Sequence, residues 1–176
     1  GIGRVIGERV VLLSTSTGGT LSTWLASRTQ DEALAALVMI SPNFAARERT
    51  MYLLDWPLLG PALLGYLGDD YRSWQPCNER QARYWTWSYP YRALLELVRL
   101  MKEVEGIDKS AIRVPTLMIY SPRDQVIDPA AVAAALALGR RGRAQDRAAD
   151  AAGDFRLVGL AGGRAARHAD RLVPRH

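Results

Sequence analysis

Ser16 stands in Ser14-Thr15-Ser16-Thr17-Gly18-Gly19-Thr20, a run of small residues placed after one apolar stretch and before another. A nucleophile on a sharp strand-to-helix turn needs small residues two positions before it and two after, because larger ones collide with the neighbouring backbone. Ser14 and Gly18 meet that need, and Gly19 leaves further room for close packing. Such a turn lifts the Ser16 hydroxyl above a sheet and sets the Thr17 backbone N–H at a helix N-terminus, where a developing oxyanion is stabilised. The same residues also suit a Ser/Thr-rich turn that caps a helix, and both readings stay open on this stretch alone. A second group of residues bears on the choice. Asp124 follows the apolar run 114–120, and a carboxylate there can orient a histidine and stabilise its imidazolium form. Asp128 is the rival acid, although capping a helix that starts at Pro129 also explains it. The chain has two histidines, His168 and the last residue, His176. The order Ser16, Asp124, His168 is the one a particular fold uses for serine chemistry. A surface histidine in a frayed tail is the plain alternative for His168.

These residues need elements to hold them. Residues 9–13 form a short apolar, β-rich run of the kind seen in buried parallel strands. Leu21, Trp24 and Leu25 then recur at helical spacing, so a helix is expected to about Ser27. The run Ala36-Leu37-Val38-Met39-Ile40 reads as a second strand, which must stop at Ser41-Pro42-Asn43 because proline cannot donate to a sheet ladder. From Phe44 to Ile112 the texture changes to tryptophans, tyrosines and prolines, with Leu94, Leu95, Val98 and Met101 marking one helical stretch. This reads as a helical insertion. Its aromatics serve either as its own core or as the lining of an apolar pocket. Strand texture returns at 114–120, a helix is expected from Pro129 to about Leu138, and 154–160 reads as a last short strand. The alternation specifies an α/β domain with a mainly parallel sheet, with ligand chemistry at the carboxyl ends of the strands. Three segments follow: 1–43 with the serine turn and the next strand, 44–112 as the insertion, and 113–176 with the acid loop and an Arg-rich tail.

Three stretches together resemble the α/β-hydrolase superfamily, and most closely its serine esterase and lysophospholipase-like branch with a helical lid. They are Val10–Leu21, Met39–Phe44 and Pro115–Pro129, in that order along the chain. The resemblance implies a partial α/β-hydrolase fold with 44–112 as the lid. It makes Ser16 the nucleophile, Asp124 the acid, His168 the base and Thr17 the first oxyanion donor. The implied reaction is hydrolysis of an ester or related acyl bond through an acyl-enzyme, without a cofactor, on a small-molecule substrate with an apolar part. In that superfamily four strands precede the nucleophile strand, and the loop after the third supplies a second oxyanion donor. About eight residues precede the corresponding strand here, so the chain reads as a fragment truncated at its N-terminal side. The strand at 9–14 is then expected to be an apolar sheet edge, with one oxyanion donor fewer. The loss of one such donor costs about 100- to 1000-fold in rate. A truncated, non-catalytic hydrolase-fold remnant or binding module is the alternative.

Composition sets the outer limits. The 176 residues are 48% apolar and 23% charged, enough for one domain with a sizeable core rather than a disordered chain. No apolar run is long enough for a membrane span and no signal-peptide pattern opens the chain, so a cytoplasmic location is expected. A single cysteine, Cys77, excludes an internal disulfide and a zinc-type cluster. The spacing Gly1-x-Gly3-x-x-x-Gly7 precedes a strand instead of following one, which excludes a dinucleotide loop. The net charge of +5 lies entirely in residues 139–176, which hold nine arginines against four acids. Only two of the 23 basic residues are lysine, as a GC-rich coding sequence gives by default, so nucleic acid is not expected as a partner. Polyanion binding by that tail is the third reading, and it predicts steep weakening with salt.

Overall fold

The computed structural model describes residues 2–29, 31–67, 71–140, 148–151 and 155–160. The chain starts with a short helix α1 (Gly3–Ile6), strand β1 (Val10–Thr15), helix α2 (Thr17–Arg28) and strand β2 (Leu34–Ile40). A 3-10 turn at Arg49–Asp55 follows, then α3 (Leu59–Leu67), β3 (Tyr71–Ser73), α4 (Glu79–Tyr84), β4 (Ser88–Pro90) and α5 (Tyr91–Glu105). The last part holds a 3-10 turn at Lys109–Ala111, β5 (Thr116–Tyr120), α6 (Pro129–Arg140), β6 (Ala148–Ala151) and β7 (Phe155–Leu160). By contacts the chain divides into two compact units. One is made of residues up to Arg47 together with those from Glu103 onward, and the other of Glu48–Lys102.

The first unit is built on a five-stranded sheet of order β1-β2-β5-β7-β6. β1, β2 and β5 run parallel, in the α/β arrangement expected from the alternating texture. Parallel neighbours need a crossover of a dozen or more residues, and α2 supplies the one from β1 to β2. β7 instead runs antiparallel to β5, and β6 antiparallel to β7. The strand expected at 154–160 therefore exists, but it joins the sheet against the direction of the other three. β6, three residues before it, was not legible in Ala148–Ala151, which has no β-branched or aromatic residue.

The pleat sends Leu37 and Met39 of β2 to the same face as Thr116 and Met118 of β5, all buried. α2 covers this face with Thr20, Thr23 and Ala26, and Thr23 Oγ1 lies 3.5 Å from Met39 Sδ. Thr23 stays compatible with the helix by bonding back to the Gly19 carbonyl at 2.9 Å. The opposite face is open at β1, where Val11 is 56% and Leu13 70% exposed. Among the described residues the run at 9–13 is thus an apolar sheet edge, as expected of the strand at 9–14, with one exposed row and not the burial on both faces that its texture also suggested. Among the described residues β1 pairs only with β2. The opening residues form the single turn α1, from which Arg4 pairs with Asp31 at 3.3 Å.

The second unit was expected to be helical, and it also contains a two-stranded antiparallel sheet in which Arg72 pairs with Tyr89 and Ser73 with Ser88. α5 carries the amphipathic stripe read from the sequence: Leu94, Val98 and Met101 are buried while Glu96 and Arg99 are exposed. Asp55 accepts from Lys102 Nζ at 2.7 Å and from Arg99 Nε at 3.2 Å, and Glu48 pairs with Arg72. No described helix is long and apolar enough to cross a membrane.

Candidate active site

The turn from β1 into α2 is strained at one residue. Ser16 has φ 52° and ψ −121°, a conformation that non-glycine residues rarely adopt. Hydrogen bonds clamp it on both sides: its N–H donates to the Ile40 carbonyl at 3.0 Å, and its carbonyl accepts from Gly19 N–H (2.9 Å) and Asn43 N–H (3.1 Å). Backbone strain of about 1–3 kcal/mol persists only where the surroundings over-determine it, as they do here. Ser16 is the N-cap of α2 by position, yet its side chain makes no capping hydrogen bond. The hydroxyl is therefore not engaged in the helix-capping role that its sequence also allowed.

Small residues make the turn possible, in a way the sequence showed only partly. A Cβ on Gly18 would sit 3.4 Å from Ser14 Cβ, an ordinary contact, so the two small positions face one another. A Cβ on Gly19 would sit 2.7 Å from Pro42 Cβ and 3.0 Å from Pro42 Cα. The strict requirement for glycine thus falls on Gly19, beneath the fully buried Pro42. Thr17 opens α2, whose first N–H groups have no intrahelical partner.

Asp124 sits in the loop that leaves β5. Its Oδ1 accepts from the N–H groups of Val126 (2.9 Å) and Ile127 (3.1 Å), which folds the loop around the carboxylate. Asp128 Oδ1 accepts from Ala130 N–H at 2.9 Å in the first turn of α6, the capping arrangement expected of it. The two loops leave the carboxyl ends of parallel strands, on the same side of the sheet's long axis. Thr15 is in register with Ile40, and Ile40 with Ile119, so β2 alone separates the ends of β1 and β5. Two strand spacings make this about 10 Å.

The segment after β2, read from the sequence as a strand end and as part of the resemblance at Met39–Phe44, ties the two loops together. After β2 the chain turns at Ser41, which has φ 44°, and Pro42 packs on Gly19. Asn43 then binds the serine turn, its N–H on Ser16 and its carbonyl accepting from Thr20 Oγ1 at 2.7 Å. The next residues bind the acid loop. Ala45 O accepts from Asp128 N–H (2.8 Å), Arg47 N–H donates to Val126 O (3.1 Å), and Arg47 Nη1 donates to Asp124 O (2.8 Å). Residues 43–47 thus fix the spacing between Ser16 and Asp124. The sequence marked the start of this segment, through the strand-ending Pro42 and the resemblance at Met39–Phe44, but not its bonds to the two loops.

His168 and His176 lie outside the described residues, so the structure brings together Ser16, Thr17 and Asp124 without placing a base beside them. Among the described residues no group of three or more His, Cys, Asp or Glu could hold a metal ion. Cys77 is exposed, far along the chain from these loops, with its N–H on Gln81 Oε1.

Residues 3–150 match the family model for serine aminopeptidase, S33, a hydrolase family. No curated protein matches the chain. With most of its length covered, the chain belongs to that family, within the α/β-hydrolase superfamily.

Proposed function

We propose that this α/β-hydrolase is a serine hydrolase that cleaves an ester or related acyl bond through Ser16, His168 and Asp124. In this mechanism Ser16 Oγ attacks the carbonyl carbon as His168 takes its proton, and the tetrahedral oxyanion is stabilised by the Thr17 N–H. Collapse breaks the bond to the leaving group, which receives the proton from His168. Water then hydrolyses the acyl-enzyme by the same route. Asp124 keeps the imidazole in the correct tautomer and stabilises its charged form.

One observation carries the reading: a non-glycine residue held at φ 52° between a parallel strand and a helix, with its hydroxyl not used as a cap. A Ser/Thr turn present only to start a helix has no reason to bear that strain. The Asp124 loop, which leaves the carboxyl end of a parallel strand as the serine turn does, supports it. The lid role of 44–112, the esterase and lysophospholipase-like preference for an apolar acyl part, and the cytoplasmic location belong to the same proposal.

A fluorophosphonate probe tests it directly. Labelling of the folded chain that disappears in Ser16→Ala is the expected result, with hydrolysis of activated esters falling at least about 1000-fold. A folded wild-type chain that takes no label overturns the reading. It would favour the second one, a non-catalytic binding module, which the exposed Val11 and Leu13 on the β1 edge support.

A further inference from the structure

The bonds that hold Asp124 differ in what they fix. Its N–H donates to the Ser121 carbonyl at 3.2 Å, and its Oδ1 accepts from the Val126 and Ile127 N–H groups. These bonds stay inside residues 121–127, so they set the shape of the loop and not its place above the sheet. The segment after β2 sets the place. Ala46 forms an antiparallel bridge to Ile127, with Asp128 N–H on Ala45 O and Arg47 N–H on Val126 O. This short ladder holds residues 126–128, and β5 holds the chain as far as Tyr120. The span between them, 121–125, contains the acid. There the hold passes to a side chain: Arg47 Nη1 donates to the Asp124 carbonyl at 2.8 Å. Among the described residues Arg47 is the one residue outside the loop that bonds Asp124.

We propose that Arg47 is a positioning residue for the Ser16 reaction: its guanidinium, bonded to the Asp124 carbonyl, fixes the acid so that the carboxylate meets the imidazole that serves Ser16. This inference rests on the reading of Ser16, His168 and Asp124 as a triad. A triad carboxylate acts only within hydrogen-bond reach of its base, and a displacement of about 1 Å costs on the order of 100-fold in rate. A span held at its two ends alone has freedom in the middle, where Asp124 stands. A charged donor on the Asp124 carbonyl removes that freedom, and such a bond is stronger than one between neutral groups. The frame of reference is also the right one. Arg47 belongs to the same short segment as Asn43, whose N–H holds the Ser16 carbonyl at 3.1 Å. The acid is thereby placed relative to the piece of chain that already grips the nucleophile.

The test is a double-mutant cycle read as the rate constant for fluorophosphonate labelling of Ser16. Its four proteins are wild type, Arg47→Met, Asp124→Asn and the double variant, each shown to be folded by its thermal melt. Methionine keeps an apolar stem of similar length and removes the donors. Arg47→Met is expected to slow labelling about 10- to 100-fold when Asp124 is present. On the Asp124→Asn background the same change is expected to cost less than about threefold, because the residue acts through a charge that is no longer there. With p-nitrophenyl acetate the loss falls on kcat and leaves KM within about threefold of wild type. Arg47→Ala serves if the methionine variant fails to fold. An unchanged labelling rate, an equal loss on both backgrounds, or a loss confined to KM overturns the inference. An equal loss would mean that Arg47 supports the fold and not the acid. The two levels stay separate: a labelled wild type with any of these results sinks the Arg47 assignment alone, while an unlabelled, folded wild type sinks the Ser16 reading with it.

Discussion

At the scale of residues, the site is defined by two short distances and one torsion. Gly19 lies so close to Pro42 that a methyl group has no place to go, whereas Gly18 faces Ser14 at an ordinary contact distance. Gly19→Ala is therefore expected to destabilise the fold by about 1–3 kcal/mol, and Gly18→Ala by less than about 1 kcal/mol. Urea unfolding of the two variants measures the difference, and equal midpoints would contradict this reading of the turn. The two acids separate in the same manner. Asp124→Asn retains an oxygen for the Val126 and Ile127 N–H groups but removes the charge that, in the proposed triad, supports the imidazolium. Its kcat is expected to fall about 1000- to 10000-fold with little loss of stability. Asp128→Ala removes the oxygen that Ala130 N–H uses, costs about 1 kcal/mol of helix capping, and leaves kcat near wild type. Steady-state kinetics beside thermal melts distinguish the two, and the reverse pattern would make Asp128 the acid.

At the scale of elements, the strand-turn-helix β1–α2 and the segment 43–47 act as one assembly. Neither end of the connection is covalently near the other, yet backbone bonds run from Ser16 through Asn43 to the Asp124 loop. In the other unit, α5 and the 3-10 turn at Arg49–Asp55 are held by charge. The hydrogen bond from Lys102, and after it that from Arg99, draws the Asp55 carboxyl below its ordinary range, and Arg72 does the same for Glu48. A carboxylate depressed in the folded state contributes stability that is complete above its unfolded pKa and is lost as pH falls through the folded value. Thermal stability is expected to decline below about pH 4, and the decline should be shallower in Asp55→Asn. Melting curves from pH 6 down to pH 3 measure this. Identical curves for the two proteins would show that the ion pairs contribute nothing to the fold, as for many exposed pairs.

At the scale of the whole molecule, the sheet has one well-covered face and one open row. Val11 and Leu13 are exposed on the edge strand, and β1 presents its second side without a strand partner among the described residues. Such an edge is a template for pairing with another chain. Leu13→Lys is expected to lower the light scattering of concentrated solutions while changing unfolding free energy by no more than about 0.5 kcal/mol. Unchanged scattering would show that the edge is not the point of self-association.

Much of this architecture was legible in the residues themselves. The strands at 10–15, 34–40 and 116–120 and the helices that begin at Thr17 and Pro129 follow from apolar runs, small polar turns and proline, which are local signals of local sterics. The alternation of these elements also specified the α/β class, and Ser14-x-Ser16-x-Gly18 singled out the serine. Other features depend on residues far apart in sequence. Whether Ser16 caps a helix or stands strained above a sheet depends on bonds from Ile40 and Asn43. The need for glycine at 19 comes from Pro42. The direction of β7 was equally hidden, because a short apolar strand carries no mark of its polarity. The sequence by itself determined which elements form and which residue is set at the turn. The tertiary structure alone decided how the serine and acid loops are tied together, because the bonds that hold them join segments whose meeting no local preference encodes.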